Sequence, residues 1–257
     1  MISRNIPWTL ALAFSLWALT APALAESDGA KALANEVVER NAEQIGIIGD
    51  TVYYFGELGM QEFESAKFVK GVLESIGFTV ETGAAGMPTN IWAHWGNGRP
   101  QIVIVSEMDA LPDGSQTSGS IERKPLVAGA PGHMEGHNTH PGVAVGAAYA
   151  VKQAMQRYNI RGSVAISLGP AEEQLISRPH LVRAGLFKDA DIAFLVHLGD
   201  NFAAGYGLAT YAAISAKFTF HGKTAHGAMN PWNGKDAVDA VELMDIGFDK
   251  LRERRTP

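Results

Sequence analysis

Cysteine is missing from all 257 residues, which excludes a disulfide framework and any thiolate metal site. An excess of basic charge is missing too, since 21 Lys and Arg face 27 Asp and Glu for a formal net charge of −6. That balance offers no electrostatic footprint for a polyanion, so nucleic acid is not an expected partner. After the first 25 residues no apolar run is long enough to span a bilayer. Internal repeats and low-complexity tracts are lacking as well. What remains is an ordinary globular composition, 46% hydrophobic and 19% charged. It supports a sizeable core and about one and a half domains.

Residues 1–25 read as a secretory signal peptide. Arg4 supplies a positive start, Trp8 to Leu19 an apolar stretch, and Ala23-Leu24-Ala25 a small-residue cleavage site. The alternative is an uncleaved N-terminal anchor, for which the apolar run is short. A lipoprotein anchor is excluded because no cysteine follows the site. Removal of Arg4 takes the charge from −6 to −7 on the mature chain. The expectation is an exported protein, periplasmic or secreted, with no membrane contact after processing.

Helical spacing of apolar residues runs from Ala32 to Phe55 and, more clearly, over 62–76, where Ala66, Val69, Leu73 and Ile76 share a face and Gly77 ends the segment. Short strands are expected at 78–82 and 90–95 around a Gly/Pro turn. Three apolar runs, 101–105, 164–168 and 191–196, read as buried strands. Residues 142–158 form an alanine-rich helix whose small residues allow close packing on a sheet. The alternation Ile214, Ala216, Phe218, Phe220 reads as a half-buried antiparallel strand. Lys235 to Arg254 carries the stripe Ala237, Val241, Met244, Phe248 and Leu251, read most simply as core. A domain boundary is placed near 208–212.

Each of the three buried runs ends in metal-ligating or acid–base side chains. The first leads into Glu107 and Asp109, the second into Glu172 and Glu173, the third into His197. Between the first two lies Gly132-His133-Met134-Glu135-Gly136-His137-Asn138-Thr139-His140. Imidazole and carboxylate are the ligands of a borderline divalent cation. The carboxyl ends of such strands are where α/β sheets gather their sites. The two adjacent glutamates can divide labour, one as ligand and one as general base. Each element alone has a plainer alternative: a solvated turn for Glu107 and Asp109, a surface pair for Glu172 and Glu173, a structural histidine for His197, and solvated histidines for the loop. Three strand ends and one loop together are much less easily an accident.

Taken in order, Glu107-Met-Asp-Ala-Leu-Pro, Gly132-His-Met-Glu-Gly-His-Asn, Pro170-Ala-Glu-Glu, Val196-His197, Gly222-Lys-Thr-Ala-His226 and Pro231-Trp-Asn-Gly resemble the dinuclear metallopeptidase and amidohydrolase family. That family includes aminoacylases, glutamate carboxypeptidases and aminobenzoyl-glutamate hydrolases. The resemblance covers the chain from about residue 30, and the aminobenzoyl-glutamate hydrolase-like subgroup fits best, through Gly83-Ala-Ala-Gly-Met-Pro-Thr and the segment from Pro231 to Leu243.

The resemblance implies an α/β fold, a mixed and largely parallel sheet flanked by helices, followed by the start of a smaller α+β lid or dimerisation domain. Residues 26–210 would be the catalytic part and 211–257 the start of the second. Glu172 would be the general acid/base. Glu135, His137, Glu173 and His197 would be metal ligands, Glu135 standing where the subgroup usually has cysteine. Asp109 would support the first metal-site loop, and Glu107 stands where other branches carry a ligand histidine. His226 would reach the substrate, in several members across a dimer interface. His133 is a candidate supporting residue, whereas His94, His140, His180 and His221 match no catalytic position. Two divalent ions, zinc or manganese, and a homodimer of the full-length chain are implied.

The implied reaction is hydrolysis of the amide bond of an N-acyl or N-aminobenzoyl amino acid, or of a small peptide, by metal-activated water with a glutamate base. Family chains are longer, so this one is expected to be a truncated or partial product, inactive by itself. The rival readings are an exported, non-catalytic metal- or ligand-binding relative and a dipeptidase or carboxypeptidase of the same family.

Overall fold

A computed structural model of the chain describes residues 27–201, 203–207 and 212–252. The expected signal peptide, residues 1–25, lies outside the described residues, as do 253–257. Contacts divide the chain between Ala204 and Gly205 into two compact units. The expected boundary at 208–212 falls mostly on residues outside the described set.

The first unit begins with two successive helices, α1 (27–40) and α2 (Ala42–Phe55). Gly56 in the left-handed region closes α2 by donating its N–H to Val52 O. Helix α3 (Phe63–Ser75) buries Ala66, Val69 and Leu73, the face read from its spacing. Five strands follow, interleaved with helices: β1 (Thr79–Thr82), β2 (Ile91–Asn97), β3 (Gln101–Ser106), β4 (Gly162–Leu168) and β5 (Ile192–Leu195). Helix α4 (His140–Arg157) connects β3 to β4, and α5 (Ser177–Arg183) connects β4 to β5.

The sheet order is β1-β2-β4-β3-β5. β1–β2 and β2–β4 pair antiparallel, whereas β4–β3 and β3–β5 pair parallel. The sheet is therefore mixed, with its parallel half formed by the three strands that end in the candidate site. β4 lies between β2 and β3 and is buried at every residue, which is why Val164-Ala-Ile-Ser-Leu shows no alternation. Its core partners include Ile91, Ile104, Met108, Ala144 and Ala148. Ile166→Ala is expected to lower the unfolding free energy by about 2–5 kcal/mol through lost burial and a residual cavity. Equilibrium urea unfolding measures this as a lower midpoint at unchanged slope.

Two expectations need correction. The apolar run at 191–196 suggests a buried strand, yet all four residues of β5 are exposed because it is an edge strand paired only with β3. Residues 213–220, with the alternation of an antiparallel strand, form no ladder among the described residues. Alternation prepares a segment to pair but does not supply a partner.

The second unit, from Gly205 on, contains α6 (Ala237–Arg252) and the isolated bridge Lys223–Lys235. Phe218 meets Phe248 with ring centroids 5.9 Å apart. The α6 stripe is nonetheless not core: Val241, Phe248 and Leu251 remain about half exposed. No described helix is long and apolar enough to cross a membrane.

Candidate metal centre

Parallel strands β4, β3 and β5 are neighbours, so the loops leaving their C-terminal ends open on the same edge of the sheet. Those loops carry Glu107 and Asp109 after β3, Glu172 and Glu173 after β4, and His197 after β5. The fourth contribution, His137, comes from the loop before α4. Gly136 there has φ 82°, and a Cβ at this position would collide with Leu198. A glycine is needed for the His137 loop to approach the His197 loop so closely.

His137 is 1% exposed and is the centre of the arrangement. Its Nδ1–H donates to Asp109, with Oδ1 at 3.2 Å and the backbone O at 3.1 Å. His197 Nδ1–H donates to Leu198 O at 2.8 Å. Both rings are thereby set in the tautomer that leaves Nε2 as acceptor. These two Nε2 atoms face each other at 3.3 Å. Two bare lone pairs so close repel, so either a proton or a metal ion lies between them. Imidazole nitrogens bound tetrahedrally at about 2.0–2.1 Å from one zinc lie about 3.3–3.4 Å apart, so the observed pair fits a shared divalent ion.

The charges around the ring point the same way. Burial disfavours a charge on His137, but the Asp109 hydrogen bond and the charges of Asp109, Glu107 and Glu173 prevail and push its pKa up to about 9. The surroundings thus favour positive charge at this ring, and a divalent metal supplies it without that proton. Glu173 has its pKa raised by burial and then by the neighbouring Glu135 carboxylate. Glu135, His137 and Glu173 offer ligand atoms all within 4.8 Å of one another. Two carboxylates at such range are compatible when a cation neutralises them.

Glu107, His137, His140 and His197 form a second convergent group, but its members are not equally available. Glu107 accepts the Nδ1–H of His140 at 2.7 Å and is paired with Arg178. Burial works to raise its pKa, and the His140 hydrogen bond and Arg178 charge more than offset that, so it stays ionised. His140 spends its other nitrogen accepting the Leu198 N–H at 2.8 Å. Glu107 and His140 therefore brace the β5 loop, leaving His137 and His197 free to bind. Sequence reading missed His140 and Arg178. The spacing of His140, three residues after His137, was a signal; for Arg178 none was visible.

Asp109 accepts the Glu173 N–H on Oδ2 at 3.0 Å while Oδ1 orients His137. Burial would raise its pKa, but those bonds hold it below the usual range. Glu172 belongs to neither convergent group. Its Oε2 lies 4.0 Å from His137 Nε2 and its Oε1 3.8 Å from Arg178. It stands beside the ligands, partly exposed, with no side-chain hydrogen bond among the described residues.

Two expected residues belong to neither convergent group. His133 Nε2–H donates to Val52 O at 3.1 Å, and burial lowers its pKa to about 4. It is a neutral brace on the end of α2, outside both groups. His226, in the second unit, accepts the Ala228 and Met229 N–H groups on Nδ1 at 3.2 and 3.1 Å. Its Nε2–H is at an exposed position with no partner among the described residues.

Comparison with known proteins adds to this geometry. No family model matches the chain. It is 35% identical over 219 residues to one of the subunits of p-aminobenzoyl-glutamate hydrolase from Escherichia coli, covering 85% of this chain and 45% of that protein. It is 28% identical to the Xaa-Arg dipeptidase of Mus musculus over 91% of this chain and 52% of that one. Among solved structures, a putative aminohydrolase from methicillin-resistant Staphylococcus aureus superposes with TM-score 0.62 at 21% identity, covering 88% of this chain and 58% of that one. This last likeness concerns the fold. The chain spans about half the length of the curated relatives it matches. With the ordered carboxylate and histidine motifs gathered at one sheet edge, the chain is similar over most of its own length to amidohydrolases and dipeptidases of about twice that length.

Proposed function

We propose that the whole protein is a metal-dependent amidohydrolase that cleaves the amide bond of an N-acyl or N-aminobenzoyl amino acid. The observation that carries this reading is Glu172, an unspent carboxylate 4.0 Å from the Nε2 of a histidine shared by two ligand groups. Glu135, His137, Glu173 and His197 would hold the metal, with two ions, zinc or manganese, on the family resemblance. What a divalent metal supplies when bound is Lewis acidity, which polarises the amide carbonyl and makes water easier to deprotonate.

The chain's own residues do the rest. Glu172 takes a proton from the attacking water as the new C–O bond forms. It returns that proton to the nitrogen as the C–N bond breaks, giving a carboxylic acid and an amine. Arg178, 3.8 Å from Glu172 Oε1 and paired with Glu107, restrains the base through the oxygen other than the one beside His137. His226 is carried forward as a substrate contact on the resemblance alone. So is pairing of two copies through the second unit, whereas export under a leader at 1–25 is carried forward from the residues of that stretch.

The test is a panel of p-aminobenzoyl-glutamate, N-acetyl amino acids and dipeptides, offered to the whole protein loaded with zinc or manganese. Release of p-aminobenzoate or free amino acid supports the reading. Cleavage of dipeptides alone would move the protein to the peptidase side, and no cleavage of any would leave a binding protein.

Glu135 makes a separate prediction. A carboxylate is harder than the thiolate of the resembled subgroup, so manganese competes better here with zinc. Glu135→Ala is expected to lose metal, and Glu135→Cys to shift the bound ion toward zinc. Elemental analysis after growth on equimolar metals reads both. Unchanged content in Glu135→Ala would remove it from the site.

A further inference from the structure

Glu62 begins α3, yet its side chain makes no hydrogen bond to that helix's own first turn. Glu57 does so in its place, accepting the Glu64 and Ser65 N–H groups, each at 2.9 Å. Glu62 turns inward and is fully buried. Its Oε1 accepts the Ala171 N–H at 2.8 Å and its Oε2 the Thr89 hydroxyl at 2.7 Å. A buried carboxylate spent on a backbone amide 109 residues away calls for a reason beyond capping.

The reason lies in the segment that amide belongs to. Ala171 has φ 53° and Leu175 φ 56°, so the short turn Glu172–Gln174 is flanked by two left-handed residues with side chains. L-residues other than glycine persist there only when neighbours hold them. Gly59 presses on the same point: a Cβ there would lie 2.8 Å from Ala171 Cα. Two residues on, the clamp is a different one, since Asp109 holds the Glu173 N–H. The two adjacent glutamates are thus fixed through separate carboxylates.

We infer that Glu62 is a positioning residue, which by holding the Ala171 N–H sets the backbone that aims Glu172. This rests on the reading of Glu172 as the base. The ligand Glu173 keeps its own clamp when Glu62 is lost, so turnover and metal binding come apart. Burial also raises the Glu62 pKa, which makes glutamine a close stand-in. Its amide oxygen can accept the Ala171 N–H, and its NH2 can donate to Thr89.

The experiment uses the whole metal-loaded protein with Glu62→Leu, Glu62→Gln and Gly59→Ala. In Glu62→Leu, kcat is expected to fall about 10²-fold, the scale of a misplaced catalytic group, with KM changed less than about threefold. Metal content stays at the wild-type level, and Glu62→Gln recovers most of kcat. Gly59→Ala, which displaces Ala171 from the other side, lowers kcat with Glu62 intact and covers the case of a Leu variant that does not fold. In a Glu172→Gln background, Glu62→Leu adds no further loss, because its effect passes through the base. Amide exchange at Ala171 is read in parallel, expected slow in wild type and Glu62→Gln and at least about tenfold faster in Glu62→Leu. Full kcat in Glu62→Leu, a loss that persists in the Glu172→Gln background, or metal lost in step with activity would each overturn the assignment. A wild type without turnover would instead sink the hydrolase reading, while Ala171 exchange would still decide whether Glu62 is the clamp.

Discussion

On the proposed function, Glu172→Gln in the whole protein is expected to lower kcat by about 10²–10⁴-fold, the range of general acid–base catalysis, and to leave the bound metal in place. The two halves of this result come from different atoms. Glutamine keeps the size and much of the polarity of glutamate but cannot accept a proton from water or hand one to nitrogen. Metal retention follows from geometry, because Glu172 belongs to neither convergent ligand group while Glu135, His137, Glu173 and His197 all do. Arg178 keeps its stronger partner, the Glu107 carboxylate, so the variant leaves no unpaired buried charge. Steady-state kinetics and elemental analysis on one preparation decide the matter. Equal loss of metal and activity would show that Glu172 is the ligand and Glu173 the base.

The outline of this site is legible in the chain because strand ends are local features. Glu107, Asp109, Glu172, Glu173 and His197 each follow an apolar run, and topology then places three parallel strand ends side by side. What is not legible are side chains that act through partners far away in sequence. Glu62 reads as one more charged residue at a helix start, and its role appears only when the Ala171 N–H arrives from 109 residues further on. His140 matches no catalytic position in sequence, yet its two nitrogens link Glu107 to the His197 loop. Conversely, the alternation over 213–220 is a clear local pattern that finds no ladder among the described residues. Periodicity reports which face a segment prefers to bury, not whether something covers it.

His137→Ala in the whole protein is expected to lose metal and turnover together. His137 is the only residue common to both convergent groups of the described residues, and its Nε2 is one of two lone pairs converging at 3.3 Å. Without it the remaining ligands come from three separate loops with no shared centre, and Asp109 loses the imidazole it orients. Outer-shell changes alone cost about 10–100-fold in metal affinity, so loss of the ligand itself should exceed about 10²-fold and bring activity to background at ordinary metal concentrations. Asp109→Asn is the graded companion. It keeps the ring but weakens the bond that fixes its tautomer, and affinity should fall within about 10–100-fold. His133→Ala is the control, since His133 hydrogen-bonds Val52 O on α2 and is a member of neither group; its metal content should match wild type. Metal titration by calorimetry on the three variants gives the order His137→Ala, then Asp109→Asn, then His133→Ala. Wild-type affinity in His137→Ala would mean that the ion is held without the ring on which both groups converge, and the ligand assignment would fall.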